Sequence, residues 1–419
     1  MSTLEVPMMR IEPFKGLRPR KDIAHLVASP PYDVLNTHEA RELASSNRMS
    51  FLHVIKPEID LPENADPYSD AVYHKAKTNL DYLINENILI QDTQKCFYIY
   101  KQTWGDHIQV GLVAGASIQD YQDDRIKKHE YTREVKENDR MRHIESLNAN
   151  TGPVFLTYKE NREITKLLGQ AMTDGPEYDF KSEDDVRHQF YQVDNSHLIE
   201  EIQKAFANLD MLYVADGHHR SAAATRVKQK REARNPKHTG DEEYNFFLSV
   251  IFPHNQMKIL AYNRAVKSLG DQCKAEFFHR LSEKFSYTES DLKVPRKSGE
   301  FCLYIDGKWY MLTARENSFD TRNSVESLDV SILQKNLLEP VLGIGDPRTD
   351  ERIEFIGGIR GTAELEKRVN SGEFKVAFSL FPTGIEQLFA VADAGNVMPP
   401  KSTWFEPKLK SGLICHLLD

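Results

Sequence analysis

Met211–Ala224 reads Met-Leu-Tyr-Val-Ala-Asp-Gly-His-His-Arg-Ser-Ala-Ala-Ala: an apolar run halts on a polar cluster and resumes as alanines. The pattern predicts a strand, a tight turn at Gly217 and a helix. Glycine permits a backbone geometry or close approach that a side chain obstructs. At a helix start the amides point outward and the dipole favours anions. Arg220, His218 and His219 add side-chain donors beside Asp216. Such a pocket suits phosphate, so Gly217, His218, His219, Arg220 and Ser221 are candidate nucleotide-binding residues, with Asp216 and His218 as candidate catalytic groups. The plainer alternative is a capped helix with two solvated histidines.

The chain has 419 residues, enough for two or three domains at roughly 150 residues each. A hydrophobic fraction of 40% and a charged fraction of 28% are those of a globular protein. The net charge of −9 argues against broad nucleic-acid binding, which needs many cations on phosphates. Cys96, Cys273, Cys302 and Cys415 are widely separated and read as ordinary reduced residues. The first ten residues carry no signal-type pattern, and no segment has the uninterrupted apolar length to span a bilayer. No membrane association is expected, and a cytoplasmic location is the default.

Working outward, prolines at 13, 19, 30, 31 and 57 favour short extended pieces, with a helix at His38–Met49. Helical spacing of Val72, Ala76, Leu80, Leu83 and Ile84 predicts a helix over Tyr68–Leu89. Phe97–Lys101 and Gln109–Ile118 flank a Trp-Gly-Asp turn and read as a hairpin. Helices are expected over Tyr131–Leu147, Asn161–Met172 and Ser196–Asn208, then a hairpin from Phe246–Phe252 and Lys258–Val266. Asp306-Gly307 between Phe301–Ile305 and Lys308–Ala314 is the strongest hairpin signal, since Asp-Gly supplies the positive φ angles of a two-residue turn. The polar stretch Val294–Ser298 is a candidate boundary region. Helices mixed with hairpins indicate an α+β class. The expected division is 1–268, carrying the Asp-Gly-His-His-Arg turn, and 269–419, whose terminal segment folds back on the core.

Lys127–Arg140 is dominated by charge. On a helix His129, Arg133, Lys136, Arg140 and His143 align as one cationic stripe, with Glu130, Glu134 and Glu137 beside it. A solvated helix explains the stripe, but its first half has little apolar surface beyond Tyr131 and Val135. Glu130 is the candidate general base, with His129, Arg133 and Arg140 as candidate substrate-binding cations. Asp216 is the candidate metal ligand, on the expectation that one carboxylate takes the nucleophile's proton and another orients a divalent metal near phosphate. Ser29–Val34, Ser-Pro-Pro-Tyr-Asp-Val, reads as a proline-shaped entry to a strand with Asp33 or Thr37 capping the next helix. A pocket wall is the alternative. Near the far end Lys401 and Lys408 are candidate anion donors on a terminal clamp, although the glycine spacing of a Walker A loop is absent.

On Pro30–Val34, His129-Glu130 with Asp139-Arg140, Ala215–Ala222 and Pro399–Leu413, the chain resembles the bacterial and archaeal family known as domain of unknown function 1015. More remotely, Asp-Gly-His-His-Arg followed by small residues is similar to the phosphate-binding turn of the ParB and sulfiredoxin superfamily, which includes ADP-dependent free serine kinases. That resemblance implies a ParB-like core with insertions, Asp216–Ser221 around nucleotide phosphates, and Glu130 as the glutamate activating a substrate hydroxyl. The function expected is a phosphotransferase on free serine or its phosphorylated form, using ADP or ATP and magnesium (Mg2+). The alternatives are a metal-dependent hydrolase using Asp216, His218 and His219, or a non-enzymatic nucleotide-binding protein.

Overall fold

Leu212–Asp216 is a strand, Gly217 sits at φ +100°, and His218–Glu232 is a helix. These elements belong to a computed structural model that describes residues 8–419. Met1–Pro7, and the signal-free start expected there, lie outside the described residues. The architecture is α+β, with mixed sheets and flanking helices.

The chain divides into two compact units, one from the described residues up to Met257 together with Pro407–Asp419, the other Lys258–Glu406. In the first unit nine strands form a mixed sheet: β1 (Ile11–Glu12), β2 (Phe97–Trp104), β3 (His107–Ser117), β4 (Ile126–Lys127), β5 (Val154–Tyr158), β6 (Tyr178–Lys181), β7 (Arg187–Val193), β8 (Leu212–Asp216) and β9 (Phe246–Pro253). Their order is β4-β8-β5-β9-β3-β2-β7-β6, and β1 pairs with β3. The expected Trp-Gly-Asp hairpin is the β2–β3 pair. All eight residues of β9 are buried, as suits a strand covered on both faces. Leu156, Val214, Ala223, Val227, Phe247 and Ile251 share one core cluster, so the His218–Glu232 helix packs its small residues on the sheet.

The hairpin expected from Phe246–Phe252 and Lys258–Val266 does not form. β9 is apolar throughout and takes a neighbour on each side, β3 antiparallel and β5 parallel. Lys258–Leu260 pairs instead with Trp404–Glu406. A smaller sheet in the first unit runs Leu89–Gln91, Gly16–Pro19, Cys415–Leu417, Ala149–Asn150, so the returning chain supplies an inner strand.

The second unit holds a sheet of β10 (Tyr262–Val266), β11 (Phe285–Glu289), β12 (Glu300–Ile305), β13 (Lys308–Ala314), β14 (Ile353–Gly357) and β15 (Val376–Leu380), in the order β11-β13-β12-β15-β10-β14. Asp306 and Gly307 turn between β12 and β13 at φ +48° and +78°. Val294–Ser298 connects β11 to β12 within this sheet and is not a boundary. The division precedes residue 268 because β10 lies between β15 and β14.

Two local readings are corrected. The helix expected from Tyr131 begins at Glu134, with Arg133 at its N-cap, so His129 and Arg133 are not on a helical stripe. No strand follows Ser29–Val34, and Asn36 rather than Asp33 or Thr37 caps the Thr37–Ala44 helix. Asn36 Oδ1 accepts the Glu39 amide and Glu39 Oε2 accepts the Asn36 amide, both at 2.9 Å.

Candidate functional site

The pairing of β8 with β5 slips between Val214, opposite Leu156, and Asp216, opposite Phe155. Such an irregularity re-aims the side chain at the strand end. Gly217 then turns the chain in the left-handed region, where an added Cβ would meet Val154 Cα at 3.3 Å. Gly217→Ala is therefore expected to cost about 1–3 kcal/mol of stability, read as a lower urea midpoint with unchanged slope. The helix's first bonds run from the Arg220 and Ser221 amides to the Gly217 carbonyl, at 2.8 and 3.1 Å. Amides ahead of Arg220 have no carbonyl within the helix to donate to, and the helix dipole leaves this end positive.

The two histidines of the turn fasten the segment carrying Glu130. His218 Nε2 accepts the His129 amide at 3.5 Å, and His219 Nε2 accepts the Arg133 amide at 3.1 Å. An acceptor Nε2 puts the proton of neutral His218 on Nδ1, which lies 4.0 Å from Glu130 Oε2. The His129 and His218 rings meet edge to face at 4.4 Å. Burial, then the neighbouring His129, holds His218 well below its usual pKa against the pull of Asp216. Burial likewise takes His129 down to about 4, although Asp216 and the Val214 backbone favour its charge. Both rings are uncharged at neutral pH. These imidazole contacts anchor a segment that has little apolar surface of its own.

Lys408, from the returning chain, donates to Asp216 Oδ2 at 2.7 Å. Burial alone would raise the Asp216 pKa, but Lys408 and then Arg220 outweigh it, so the carboxyl stays ionised far below the usual range. Arg220 Nη1 donates to the Pro153 carbonyl at 2.7 Å, and Nη2 lies 3.5 Å from Asp33 Oδ1. Tyr32 receives two guanidiniums, Arg140 at 4.1 Å and Arg220 at 5.3 Å from the ring centroid. Arg140 Nε and Nη2 both donate to Asp139 Oδ2, while Asp139 Oδ1 accepts the Tyr73 hydroxyl at 2.9 Å.

Glu130, His129, Asp216, Gly217, His218, His219 and Arg220 are thus brought together within the first unit, with Arg133 tied in through its backbone. Arg140 joins them through the Tyr32 ring it shares with Arg220. Ser221 is fully buried and its hydroxyl donates to the His218 carbonyl at 3.1 Å, so the side chain is internal to the helix. Lys401 belongs to the second unit, where its ammonium lies 5.5 Å from the Tyr262 ring centroid. Tyr32 went unrecognised as a platform because Pro-Pro-Tyr-Asp reads locally as a turn. Its signals were the Pro30–Val34 family match and the alternative reading of Ser29–Val34 as a pocket wall. Among the described residues no three His, Cys, Asp or Glu are grouped to hold a metal, and no helix is long and apolar enough to cross a membrane.

No curated protein matches the sequence significantly. Among solved structures, free serine kinase in complex with AMP is 16% identical at a TM-score of 0.37, over 77% of this chain and 93% of that one. A conserved hypothetical protein from Pyrococcus furiosus gives 16% and 0.33, over 67% and 87%. SbnI with a C-terminal truncation from Staphylococcus aureus gives 10% and 0.36, over 70% and 82%. The profile of the family described as protein of unknown function (DUF1015) matches residues 11–331. That span takes in the Tyr32, Glu130 and Asp216–Arg220 segments, and with well over half of its length matched the chain belongs to the DUF1015 family.

Proposed function

We propose that the first unit is a phosphotransferase acting on a small hydroxylated metabolite. The observation that carries this reading is the meeting of Asp216, Arg220 and Lys408 at a helix start to which His218 and His219 fasten the Glu130 segment. The helix-start amides with Arg220 hold phosphate oxygens, and Glu130 takes the hydroxyl proton. The hydroxyl oxygen bonds to phosphorus as the bond to the departing nucleotide breaks. His218 and His219, acting as acceptors, position this assembly rather than donate to phosphate.

The finer reading, free serine or O-phosphoserine with ADP or ATP, rests on the likeness of the Asp216–Ser221 turn to the phosphate turn of the ParB and sulfiredoxin superfamily. Ionised Asp216 fits a hard cation, and magnesium bound with the nucleotide would neutralise phosphate charge there. The hydrolase alternative gains no support, since His218 and His219 both spend Nε2 on backbone amides. Arg220→Ala tests the proposal: calorimetry should show nucleotide affinity reduced about tenfold or more. Unchanged affinity removes the phosphate site from this turn.

A further inference from the structure

Lys408 reaches Asp216 from a stretch of backbone that two buried glutamines hold in place. Gln102 on β2 and Gln109 on β3 stand opposite each other across the hairpin, and both are fully buried. Gln109 Nε2 donates to Gln102 Oε1 at 2.8 Å, and Gln102 Nε2 donates to the Lys408 carbonyl at 3.0 Å. A side-chain amide buried without partners is costly, so the pair is satisfied only while that carbonyl stays where it is. Two residues further on, the Lys410 amide donates to the buried Tyr100 hydroxyl at 3.4 Å, again from β2. All of these groups belong to the first unit.

The clamp on its backbone holds this segment, and the Lys408 ammonium adds little to it. The Lys408 and Asp216 side chains are 19% and 37% exposed, and ion pairs open to water stabilise little. An ammonium is a compact charge with three donors and can bridge two anions. Resting on the phosphotransferase reading, we infer that Lys408 is a catalytic residue that bridges Asp216 and the oxygens of the phosphoryl group in transfer, and that Gln102 and Gln109 are positioning residues acting through it. Lys408 forms no covalent bond and takes no proton; its charge offsets that of the phosphoryl oxygens.

Calorimetry on the full chain with inorganic pyrophosphate, and no nucleotide, tests this apart from catalysis. Lys408→Met should weaken pyrophosphate about tenfold. Gln102→Leu should weaken it about threefold in the native background and change nothing in the Lys408→Met chain, because the glutamine acts only through the ammonium. Gln109→Leu, one bond further back, gives the same reading where Gln102→Leu does not fold. Unchanged affinity in Lys408→Met, or an equal loss from the glutamine substitution in both backgrounds, overturns the inference. Loss of pyrophosphate on Arg220→Ala with none on Lys408→Met overturns the role of Lys408 and leaves the phosphate site standing. The expected pattern in a chain that transfers no phosphoryl group supports the role of Lys408 at bound phosphate and overturns the transferase.

Discussion

Glu130→Gln is expected to lower phosphoryl transfer by about 10²–10⁴-fold while leaving nucleotide affinity within about twofold. The substitution keeps the shape of the side chain and an oxygen for the His218 Nδ1 proton, 4.0 Å from Glu130 Oε2 in the native chain. It removes only the capacity to accept a proton. Arg220 and the helix start, the groups proposed to hold phosphate, keep their contacts with Pro153, Asp33 and Gly217. The loss should therefore fall on kcat, with KM for nucleotide unmoved. Wild-type turnover in the variant removes Glu130 from the chemistry. A parallel fall in affinity makes Glu130 part of the binding site instead.

Acid is expected to unfold the first unit. Burial takes His129 and His143 down to about 4 and His188 to about 3, from 6.5. Asp216 and the Val214 backbone act against burial at His129. Arg140 adds to it at His143 against the Val54 carbonyl and Asp139, and Lys410 adds to it at His188 against Asp184. Below pH 6.5 the unfolded chain protonates these rings and the folded chain does not, so stability rises with pH between about 4 and 6.5. At pH 4 the three rings together cost several kcal/mol, a large share of a domain's stability of about 5–15 kcal/mol. Melting followed by circular dichroism should show Tm dropping steeply from pH 6.5 to 4.5. A flat Tm over that interval shows that the three rings titrate normally.

What could be read in advance was local. The strand, turn and helix at Leu212–Glu232 and the Asp306-Gly307 hairpin each announce themselves within a dozen residues, through an apolar run, a glycine, or an Asp-Gly pair. The Glu130 segment was not legible as a loop because its anchors, the His218 and His219 rings, lie 89 and 86 residues further along the chain. Charge periodicity alone suggested a helix there. The pairing of β9 was missed for the same reason: its neighbours are strands far away in sequence, whereas a hairpin partner lay close at hand. Lys408 was flagged only as a donor to anions, and no spacing rule connects it to a carboxylate 192 residues earlier.

Cys415–Leu417 lies between Gly16–Pro19 and Ala149–Asn150, with Lys258–Glu406 intervening in the chain. The ribosome must traverse that whole interval before the small sheet acquires its inner strand and Asp216 its ammonium partner. Until then the nascent amino-terminal portion waits with a strand edge unpaired, a state open to association with other chains. Translation speed across the interval thus sets how long the first unit stays vulnerable.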